Sequence, residues 1–233
     1  FFQQSSFATH ALGTARSVVK LPDDVPLELA GPLGCGIQTG AGAVLNTLDV
    51  PAGSSIAIFG VGTVGLAAVM AAKIAGCSTI IAVDIDTERL ALAAELGATQ
   101  IIDGRDEDVA ARIHAEVPGG VMYSFETAGQ VGTFTAAIDC LARRGSCALA
   151  TVPKLGAAFE FSALNLLMGG RRLVAVLEGD SVPELFIPRL ARFWREGRLP
   201  LERLTREYDF RDFARALDDA QQGRAIKPIL RME

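Results

Sequence analysis

The sequence predicts an α/β protein built around a doubly wound parallel sheet of six strands. In the middle of the chain, short runs of β-branched and other apolar residues alternate with segments of helical pattern. Strands that alternate with helices in this way form βαβ units, and such units build parallel sheets. Half of the 233 residues are hydrophobic, which supports a sizeable core and argues against disorder.

The predicted strands are short and rich in apolar residues. They cover residues 55–59, 79–83, 100–102, 121–125, 146–150 and 172–177. The segments between them have helical patterns and predict helices at residues 64–75, 87–96, 107–116 and 131–141. For the second helix, Thr87 is the predicted N-cap and Gly97 the predicted C-cap, because these residue types favour those positions.

The two ends of the chain lack this alternation. Residues 6–12 and 17–21 are predicted as short strand-like pieces with no helix between them. Near the C-terminus, helices are predicted at 182–196 and 210–222, followed by a strand at 226–231. Each end is too small to fold alone, so we expect both to belong to a second domain.

Charge, hydropathy and cysteine content exclude several classes of protein. The net charge of −5 argues against broad electrostatic binding of nucleic acid. Residues 50–72 carry no charge and are long enough to span a bilayer, but they include Pro51 and several glycines and divide into a strand, a turn and a helix. The four cysteines form no CxxC pair and no signal peptide is recognisable, so we expect reduced thiols and a cytoplasmic protein.

The clearest motif is the sequence GVGTVG at residues 60–65, which follows the first predicted strand and opens the next helix. In this context a GxGxxG pattern is typical of a dinucleotide-binding turn. Gly60 permits the tight turn, Gly62 lets the backbone approach a pyrophosphate, and Gly65 allows close packing of helix on strand. We expect Thr63 to contact the coenzyme as well, because a helix N-terminus presents N–H groups and partial positive charge to a diphosphate.

An acidic residue completes this pattern. Asp84 ends the second strand, nineteen residues after Gly65. A carboxylate there accepts hydrogen bonds from an adenosine ribose and repels a 2′-phosphate, which favours NAD over NADP. Asp86 could share this role, face solvent or cap the next helix. There are two alternatives to a dinucleotide site. The motif could consist of ordinary turn glycines and an acid at a strand end, or it could belong to an S-adenosylmethionine site. The glycine spacing and the six strands favour the dinucleotide.

Further motifs support a family resemblance. They are GCGIQTG at residues 34–40, FFQQSSFATHAL at 1–12, FETAG at 125–129, GDSVP at 179–183 and AIKPIL at 225–230. With GVGTVG, they make the sequence resemble zinc-dependent medium-chain alcohol dehydrogenases, and in particular the aryl-alcohol (benzyl alcohol) branch. The resemblance implies a GroES-like β catalytic domain whose C-terminal remnant is residues 1–35. It also implies an NAD-binding Rossmann domain at 36–177 and a return segment at 178–233 that packs on the catalytic domain.

The same resemblance implies that Cys35 is the third protein ligand of a catalytic zinc. Alcohol dehydrogenase is itself a standard example of a zinc site with Cys₂His ligands and one open position. From the residues alone, Cys35 would be a small buried thiol between two glycines. The other cysteines are predicted to pack in the interior. His10 and His114 match no metal-binding spacing, and we expect His114 to be solvated.

The resemblance also implies contacts with the two ends of the coenzyme. Thr39 and Val64 are implied to press the nicotinamide ring towards the substrate, so Thr39 joins Cys35 as a catalytic candidate. Arg89 is implied to lie near the adenosine ribose, and Lys227 to approach the pyrophosphate. From the residues alone, Val64 could be first-turn core and Arg89 a surface charge.

The backbone of Val152, Val176 and Glu178 is implied to bind the carboxamide of the nicotinamide. These residues follow the last two predicted strands. Ligands of open α/β sheets bind at the carboxyl ends of the strands, which agrees with that role.

The family pattern places two zinc ligands, the proton-relay residues and a four-cysteine structural zinc cluster before Phe1. The chain therefore resembles the C-terminal part of such an enzyme, and its start at Phe1 rather than Met indicates a fragment or a processed product. The intact enzyme would transfer hydride from a primary, aromatic alcohol to NAD with zinc as Lewis acid. Because catalytic zinc needs three protein ligands, we expect this chain alone to bind NAD without turnover.

Two other functions are possible alternatives. A zinc-free quinone reductase of the same superfamily would prefer NADPH and lack Cys35, and a non-catalytic NAD-binding module would need no zinc. We expect a small-molecule alcohol or aldehyde as substrate and neither nucleic acid nor membrane as partner. The strand from Arg172 to Leu177 is predicted at the sheet edge, where its backbone could pair with a second copy of the chain.

Overall fold

The computed structural model describes residues 7–151, 158 and 161–232. The chain divides into two compact units, which we call the flanking unit (Phe1–Cys35 with Val182–Glu233) and the central unit (Gly36–Ser181). Among the described residues, the α-helices are α1 (Leu27–Pro32), α2 (Gln38–Gly42), α3 (Thr63–Ala75), α4 (Thr87–Leu96), α5 (Val109–Glu116), α6 (Val131–Asp139), α7 (Ala163–Gly169), α8 (Pro183–Arg195) and α9 (Phe213–Gln221). The strands are β1 (Ser55–Phe59), β2 (Thr79–Asp84), β3 (Gln100–Asp103), β4 (Val121–Glu126), β5 (Leu141–Leu149), β6 (Arg172–Ala175), β7 (Thr205–Asp209) and β8 (Lys227–Arg231).

The central unit contains a six-stranded sheet in the order β3-β2-β1-β4-β5-β6. All neighbouring strands in it are parallel. The strand order reverses direction between β1 and β4, which creates a crevice at their carboxyl ends where such sheets bind ligands. This arrangement confirms the predicted doubly wound fold.

The core of the central unit explains the long uncharged stretch at residues 50–72. Strand β1 is buried from its second residue onward, and α3 is buried over residues 65–72. A parallel strand covered on both faces is apolar throughout, and α3 continues the apolar run because it too is enclosed. Among the described residues, every helix is too short or too polar to cross a bilayer.

Strand β5 begins earlier than the sequence predicts. Helix α6 ends at Asp139 instead of residue 141, and Leu141 already pairs with Val121 of β4. The pairing then shifts, so that Tyr123 lies opposite Ser146, and Arg144 in the intervening stretch has a φ of 64°. This bulge places charged residues inside the strand, which hides its start from a pattern of apolar residues.

Two helix starts also differ from the prediction. Asp86, rather than Thr87, caps α4, because its Oδ1 accepts hydrogen bonds from the N–H groups of Glu88 and Arg89. Helix α5 begins two residues late, at Val109, after the side chain of Asp108 has capped it. Aspartate is among the best N-cap residues, so each helix begins directly after one.

Helical structure between residues 27 and 47 was not predicted. Helix α1, a π-helical turn at Leu33–Ile37, α2 and a second π-helical turn at Ala43–Thr47 follow one another there. The glycines and proline of this stretch disfavour a helix by propensity. Close packing explains two of the glycines, since an added Cβ at Gly40 would lie 2.0 Å from the carbonyl oxygen of Val64 and one at Gly36 would lie 3.0 Å from Thr63 Cγ2.

The flanking unit contains β7 and β8, which pair in parallel, together with α1, α8 and α9. Helices α8 and α9 and strand β8 lie where the sequence predicts them, within three residues at each end. Strand β7 was not predicted, because four of its five residues are polar or charged and only Tyr208 is buried.

The strand-like pieces predicted at 6–12 and 17–21 are wrong for the described residues. Residues 7–12 and 18–21 form neither helix nor strand, and Ala15–Ser17 is a short 3₁₀ turn. Residues 7–18 are all exposed, so they have no neighbouring strand to satisfy their backbone groups.

Candidate functional site

The glycine bend, residues 60–65, connects β1 to α3 at the switch point of the sheet. Gly60 has a φ of +84°, and an added Cβ would lie 2.9 Å from Thr127 Oγ1. An added Cβ at Gly65 would lie 1.9 Å from the carbonyl oxygen of Gly60. These two positions therefore require glycine for the fold itself.

Gly62 differs from these two glycines. Its φ of −75° is open to any residue, and an added Cβ would meet no atom within 4 Å. Packing inside the chain therefore does not require glycine here, and the missing side chain leaves space over the backbone. Gly62 is also the N-cap of α3, where Thr63 and Val64 form the first turn and are both half-buried. This open cradle at a helix N-terminus suits a diphosphate.

Asp84 lies beside the glycine bend, at the carboxyl end of β2. Its Oδ2 accepts a hydrogen bond from the N–H of Val61 at 2.7 Å, and its Oδ1 accepts one from the N–H of Asp86 at 3.0 Å. The side chain is half-buried, so the carboxylate is held in one orientation next to the bend. A carboxylate has about four acceptor positions, which leaves capacity for the two hydroxyls of a ribose.

Arg89 lies on the first turn of α4, close to Asp84 in the chain. Its Nε is 3.4 Å from Asp86 Oδ2, and the side chain is 27% exposed. Among the described residues, no acceptor forms a hydrogen bond with this Nε. The guanidinium is therefore partly buried and paired by charge with Asp86.

The turn after β4 supports the glycine bend and was missed by the sequence analysis. The hydroxyl oxygen of Thr127 is 2.7 Å from the carbonyl oxygen of Gly60 and 3.0 Å from that of Phe59. The N–H of Thr127 donates to the same Phe59 carbonyl at 2.8 Å. Thr127 thus braces the two carbonyl groups that enter the bend.

Glu126 fixes the same turn from within the core. It is only 2% exposed, yet its Oε1 accepts hydrogen bonds from the N–H groups of Ala128 and Gly129 and from the hydroxyl of Thr133, all at 2.7–2.9 Å. A buried carboxylate needs such partners, since desolvation is otherwise costly. The FETAG motif at 125–129 could have indicated this turn, because it places an acidic residue directly before small residues.

Thr39 lies in α2 and contacts the segment that follows β6. Its hydroxyl is 3.4 Å from Glu178 Oε2, and the buried Gln38 donates to the same oxygen from Nε2 at 3.0 Å. Ser181 Oγ lies 3.2 Å from Gln38 Oε1. The structure thus brings Thr39 and Glu178 together at the carboxyl end of the sheet.

Glu178, Gly179 and Asp180 form a left-handed turn, with φ values of 50°, 69° and 46°. Two of these residues carry side chains, and such residues rarely adopt this region. Three side-chain contacts hold the turn: Asn46 Nδ2 donates to the Gly179 carbonyl at 3.1 Å, Thr47 Oγ1 to Asp180 Oδ2 at 2.8 Å, and Ser181 Oγ to the Glu178 carbonyl at 2.7 Å.

The remaining predicted coenzyme contacts have different outcomes. Val152 lies outside the described residues. The N–H of Val176 donates to the Leu149 carbonyl at 2.8 Å, so the carbonyl is the part of its backbone that could accept from a carboxamide. Lys227 is the first residue of β8 in the flanking unit and is half-buried. Its predicted contact with pyrophosphate stays a prediction.

Cys35, the predicted zinc ligand, is the last residue of the first segment of the flanking unit and is exposed. Within this chain, Cys35 is therefore not the buried thiol that the residues alone would suggest. Among the described residues, no three His, Cys, Asp or Glu side chains are grouped closely enough to hold a metal ion. These residues therefore do not by themselves fit a catalytic zinc, which needs three protein ligands.

Of the other cysteines, Cys140 and Cys147 are buried in the core, as predicted, whereas Cys77 is half-buried. Burial raises the pKa of Cys77 to about 11 and that of Cys147 to about 12, and raises the pKa of Cys140 in the same direction. High pKa values leave these thiols protonated and poor as metal ligands. His114, expected to be solvated, is instead half-buried, with Nε2 3.0 Å from the carbonyl oxygen of Asp139.

A doubly wound sheet with a glycine bend at its switch point is the architecture of dinucleotide-binding domains. Comparison with known protein families matches residues 63–193 to the zinc-binding dehydrogenases. The chain belongs to this family, which confirms the resemblance predicted from its motifs.

Individual relatives support this assignment. The chain is 42% identical over 231 residues to a geraniol dehydrogenase from Castellaniella defragrans, and the match covers 99% of this chain and 62% of that protein. It superimposes on the benzyl alcohol dehydrogenase of Acinetobacter calcoaceticus with a TM-score of 0.98 and 43% identity, covering all of this chain and 64% of that one. An alcohol dehydrogenase zinc-binding domain protein from Burkholderia ambifaria gives a TM-score of 0.97 at 49% identity, with 100% and 63% coverage. The chain thus spans slightly more than three fifths of the length of these relatives.

Proposed function

We propose that the central unit binds NAD at the glycine bend and that the protein is an oxidoreductase acting on alcohols. The observation that carries this proposal is the hydrogen bond from the N–H of Val61 to Asp84 Oδ2, at 2.7 Å. It joins the bend that suits a pyrophosphate to the carboxylate that suits a ribose, so both recognition elements form one rigid group.

Each residue of this group has a separate task in binding. Gly62 gives the diphosphate access to the backbone at the N-terminus of α3, whose partial positive charge attracts the anion. Asp84 accepts hydrogen bonds from the ribose and repels a 2′-phosphate, while Arg89, whose side chain is 27% exposed, lies near the same ribose. Thr127 holds the bend in shape when the ligand leaves.

The other half of the coenzyme binds at the carboxyl ends of β4, β5 and β6 in this proposal. When bound there, NAD supplies an acceptor for the hydride of an alcohol. Thr39 and Val64 position its nicotinamide ring, and the segment at Val176 and Glu178 holds its carboxamide. These roles rest on the family resemblance and on the location of Thr39 beside Glu178.

A fluorescence titration tests the coenzyme proposal. The purified chain is titrated with NADH and with NADPH, and enhancement or shift of nicotinamide emission reports binding. We expect NADH to bind at least about tenfold more tightly, because the Asp84 carboxylate repels the extra phosphate. Equal affinities, or a preference for NADPH, would favour the quinone reductase alternative; absence of binding would refute the site.

We propose a primary, aromatic alcohol as substrate of the whole protein. The similarity to a benzyl alcohol dehydrogenase at 43% identity supports this choice. The similarity to a geraniol dehydrogenase at 42% identity supports a primary alcohol of another skeleton as well. A panel of aromatic and aliphatic alcohols, assayed by NADH formation with the full-length enzyme, distinguishes these classes.

Among the described residues, Cys35 is the one that we propose as a zinc ligand. Its exposed thiol could supply one ligand, but the described residues do not form a complete site. We therefore propose that the 233-residue chain binds NAD and does not turn over alcohol. NADH formation from benzyl alcohol by this chain with added Zn²⁺, abolished by Cys35→Ser, would refute that proposal.

We also propose that the protein forms an oligomer through the edge of the central sheet. Strand β6 is at the end of the strand order, and apolar side chains nearby are exposed: Leu177 by 80%, Leu164 by 68% and Leu167 by 76%. An edge strand with such neighbours invites pairing with a second copy. Light scattering behind gel filtration should give a dimer or larger, and a monomer would refute this.

A cytoplasmic location remains part of the proposal. The described cysteines are all free thiols. Reduced thiols are the normal state in the cytoplasm. Titration of the denatured, non-reduced protein should find four reactive thiols, whereas fewer would indicate oxidation.

A further inference from the structure

Gln38 is a polar side chain in a buried position of α2, where it is only 3% exposed. Burial of an amide is costly unless its donor and its acceptor both find partners. Buried polar side chains are therefore almost always hydrogen-bonded, and the partners of such a residue show what it holds in place.

Both ends of the Gln38 amide contact the segment that follows β6. Its Nε2 donates to Glu178 Oε2 at 3.0 Å, and its Oε1 lies 3.2 Å from Ser181 Oγ. Ser181 Oγ is also 2.7 Å from the carbonyl oxygen of Glu178, so its one hydroxyl proton can serve either acceptor. Gln38 thus holds the carboxylate of Glu178 directly and contacts the residue that holds the carbonyl group of Glu178.

Glu178 needs such contacts because of its backbone. Its φ is 50°, in the left-handed region that residues with a side chain rarely adopt, and Asp180 in the same turn has a φ of 46°. Such conformations persist only where the surroundings hold them, and they cluster at functional sites. The turn also packs closely on the helical segment, since an added Cβ at Gly42 would lie 2.5 Å from the carbonyl oxygen of Gly179. The orientation of Glu178 is therefore set by contacts with residues that lie far away in the chain.

This orientation leaves one backbone donor of the turn open. Among the described residues, none accepts a hydrogen bond from the N–H of Glu178. The N–H of Asp180, by contrast, donates to the carbonyl oxygen of Leu177 at 2.9 Å, and that of Val176 donates to Leu149. Backbone N–H groups are obligatory donors, and ligands of such sheets bind beyond the carboxyl ends of the strands. The N–H of Glu178 is therefore available to an acceptor atom of a ligand there.

We propose that Gln38 is a positioning residue for the coenzyme: by holding Glu178, it presents the N–H of Glu178 to the carboxamide oxygen of the nicotinamide. This inference rests on the proposed NAD site and adds to it a residue that acts without touching the coenzyme. In that site the adenosine half binds beside Asp84, on the other side of the switch point. Gln38 should therefore affect binding of the nicotinamide half and not of the adenosine half.

A comparison of NADH with ADP-ribose separates the two halves, because ADP-ribose contains the adenosine and both phosphates but lacks the nicotinamide. Gln38→Leu gives a side chain of similar size without hydrogen bonds. By calorimetry on the purified chain, we expect Kd for NADH to rise about tenfold, as for the loss of a hydrogen bond to a charged group, and Kd for ADP-ribose to stay within about twofold. The emission of bound NADH should also move towards that of free NADH.

An exchange of the two partners provides a rescue. In Gln38→Glu two carboxylates face each other, so Kd for NADH should rise about tenfold or more. In the double variant Gln38→Glu with Glu178→Gln, the amide of residue 178 donates to the carboxylate of residue 38, which restores the hydrogen bond in the reverse direction. Kd for NADH in the double variant should return to within about threefold of the value for the unaltered chain.

Gln100→Leu is the matched control. Gln100 Nε2 also donates to a glutamate, to Glu116 Oε2 at 3.2 Å, but Gln100 begins β3 and therefore lies at the amino end of the sheet. The substitution removes the same kind of hydrogen bond away from the proposed site. It should leave Kd for NADH and Kd for ADP-ribose unchanged.

The outcomes separate this inference from the proposed coenzyme site. If the unaltered chain binds neither NADH nor ADP-ribose, the NAD site itself is refuted. If it binds both, and Gln38→Leu changes neither Kd or changes both by the same factor, the NAD site stands and the positioning role is refuted. Should Gln38→Leu fail to fold, Glu178→Ala removes the same hydrogen bond from a half-buried position and should show the same selective loss. Unchanged NADH affinity in Glu178→Ala also refutes the positioning role.

Discussion

The carboxylate of Asp84 and the N–H of Val61 form a 2.7 Å hydrogen bond that links the end of β2 to the glycine bend. The residue predicted to recognise ribose is thus also part of the structure that shapes the proposed pyrophosphate cradle. Substitution of Asp84 can therefore alter specificity in two ways, by removing charge and by releasing the bend. An amide replacement removes the charge and keeps the link to the bend, because its oxygen can still accept from the N–H of Val61, although its NH₂ group can no longer accept from the N–H of Asp86.

We predict that Asp84→Asn loses discrimination between NADH and NADPH while keeping a folded bend. The preference for NADH should fall from at least about tenfold to within about threefold, since repulsion of the 2′-phosphate is lost. Asp103→Asn is the control, because Asp103 is the register partner of Asp84 on β3 and lies at the same end of the sheet. Unchanged discrimination in Asp84→Asn would contradict the role given to the carboxylate.

Gly62 and Gly65 should respond differently to alanine. At Gly62 a Cβ meets no atom of the chain, so Gly62→Ala should cost at most about 1 kcal/mol of unfolding free energy, as expected for an N-cap change, and weaken NADH binding at least about tenfold. At Gly65 the Cβ would lie 1.9 Å from a carbonyl oxygen, so Gly65→Ala should destabilise the fold by about 3 kcal/mol or more. Denaturant unfolding and NADH titration together check this; full affinity in Gly62→Ala would rule out the cradle.

Thr127 provides a test of the brace behind the bend. Thr127→Val keeps the shape of the side chain but removes the hydroxyl that contacts the carbonyl groups of Gly60 and Phe59. The free energy of unfolding should therefore fall by about 1–3 kcal/mol, and NADH binding should weaken. Thr127→Ser keeps the hydroxyl and should recover the NADH affinity even if some packing is lost. If valine and serine variants bind NADH equally well, the hydroxyl does not position the bend.

The flanking unit should lose stability in acid through Asp219. This carboxyl is 5% exposed, and hydrogen bonds from the hydroxyl of Tyr208 and from Arg224 Nε, both at 2.7 Å, lower its pKa below the usual 3.8. Because the pKa of Asp219 is lowered in the folded state, its contribution to stability is complete above about pH 4. That contribution is lost as the pH falls through the folded-state pKa. Measured between about pH 5 and about pH 2.5, the free energy of unfolding of the intact chain should therefore fall more steeply as the pH decreases. In Asp219→Asn, the free energy of unfolding should fall less steeply over the same range. An identical acid slope in the variant would contradict the assignment.

The sequence was sufficient to predict the sheet and where the glycine bend and Asp84 lie in it. Strands such as β1 are uniformly apolar because both faces are buried, and the glycine bend has fixed spacing because Gly60 and Gly65 are required by backbone contacts. Asp84 follows from its place at the end of β2. These features depend on local sequence and on a general rule of topology.

The features that the sequence did not predict depend on contacts between segments that are far apart in the chain. The brace from Thr127 to Gly60 joins residues 67 positions apart, and the pair of Gln38 and Glu178 joins residues 140 positions apart. No local pattern marks such partners. The helical stretch at 27–47 was missed for a related reason, since glycines that oppose a helix by propensity are retained where Gly40 packs on the backbone of α3.

A crystal structure of the chain grown with NAD⁺ tests the central claim most directly. We expect the diphosphate to lie over Gly62 at the N-terminus of α3, with both adenosine ribose hydroxyls within hydrogen-bond distance of Asp84. A coenzyme bound elsewhere, or an empty cradle at NAD⁺ concentrations that saturate binding in solution, would contradict it.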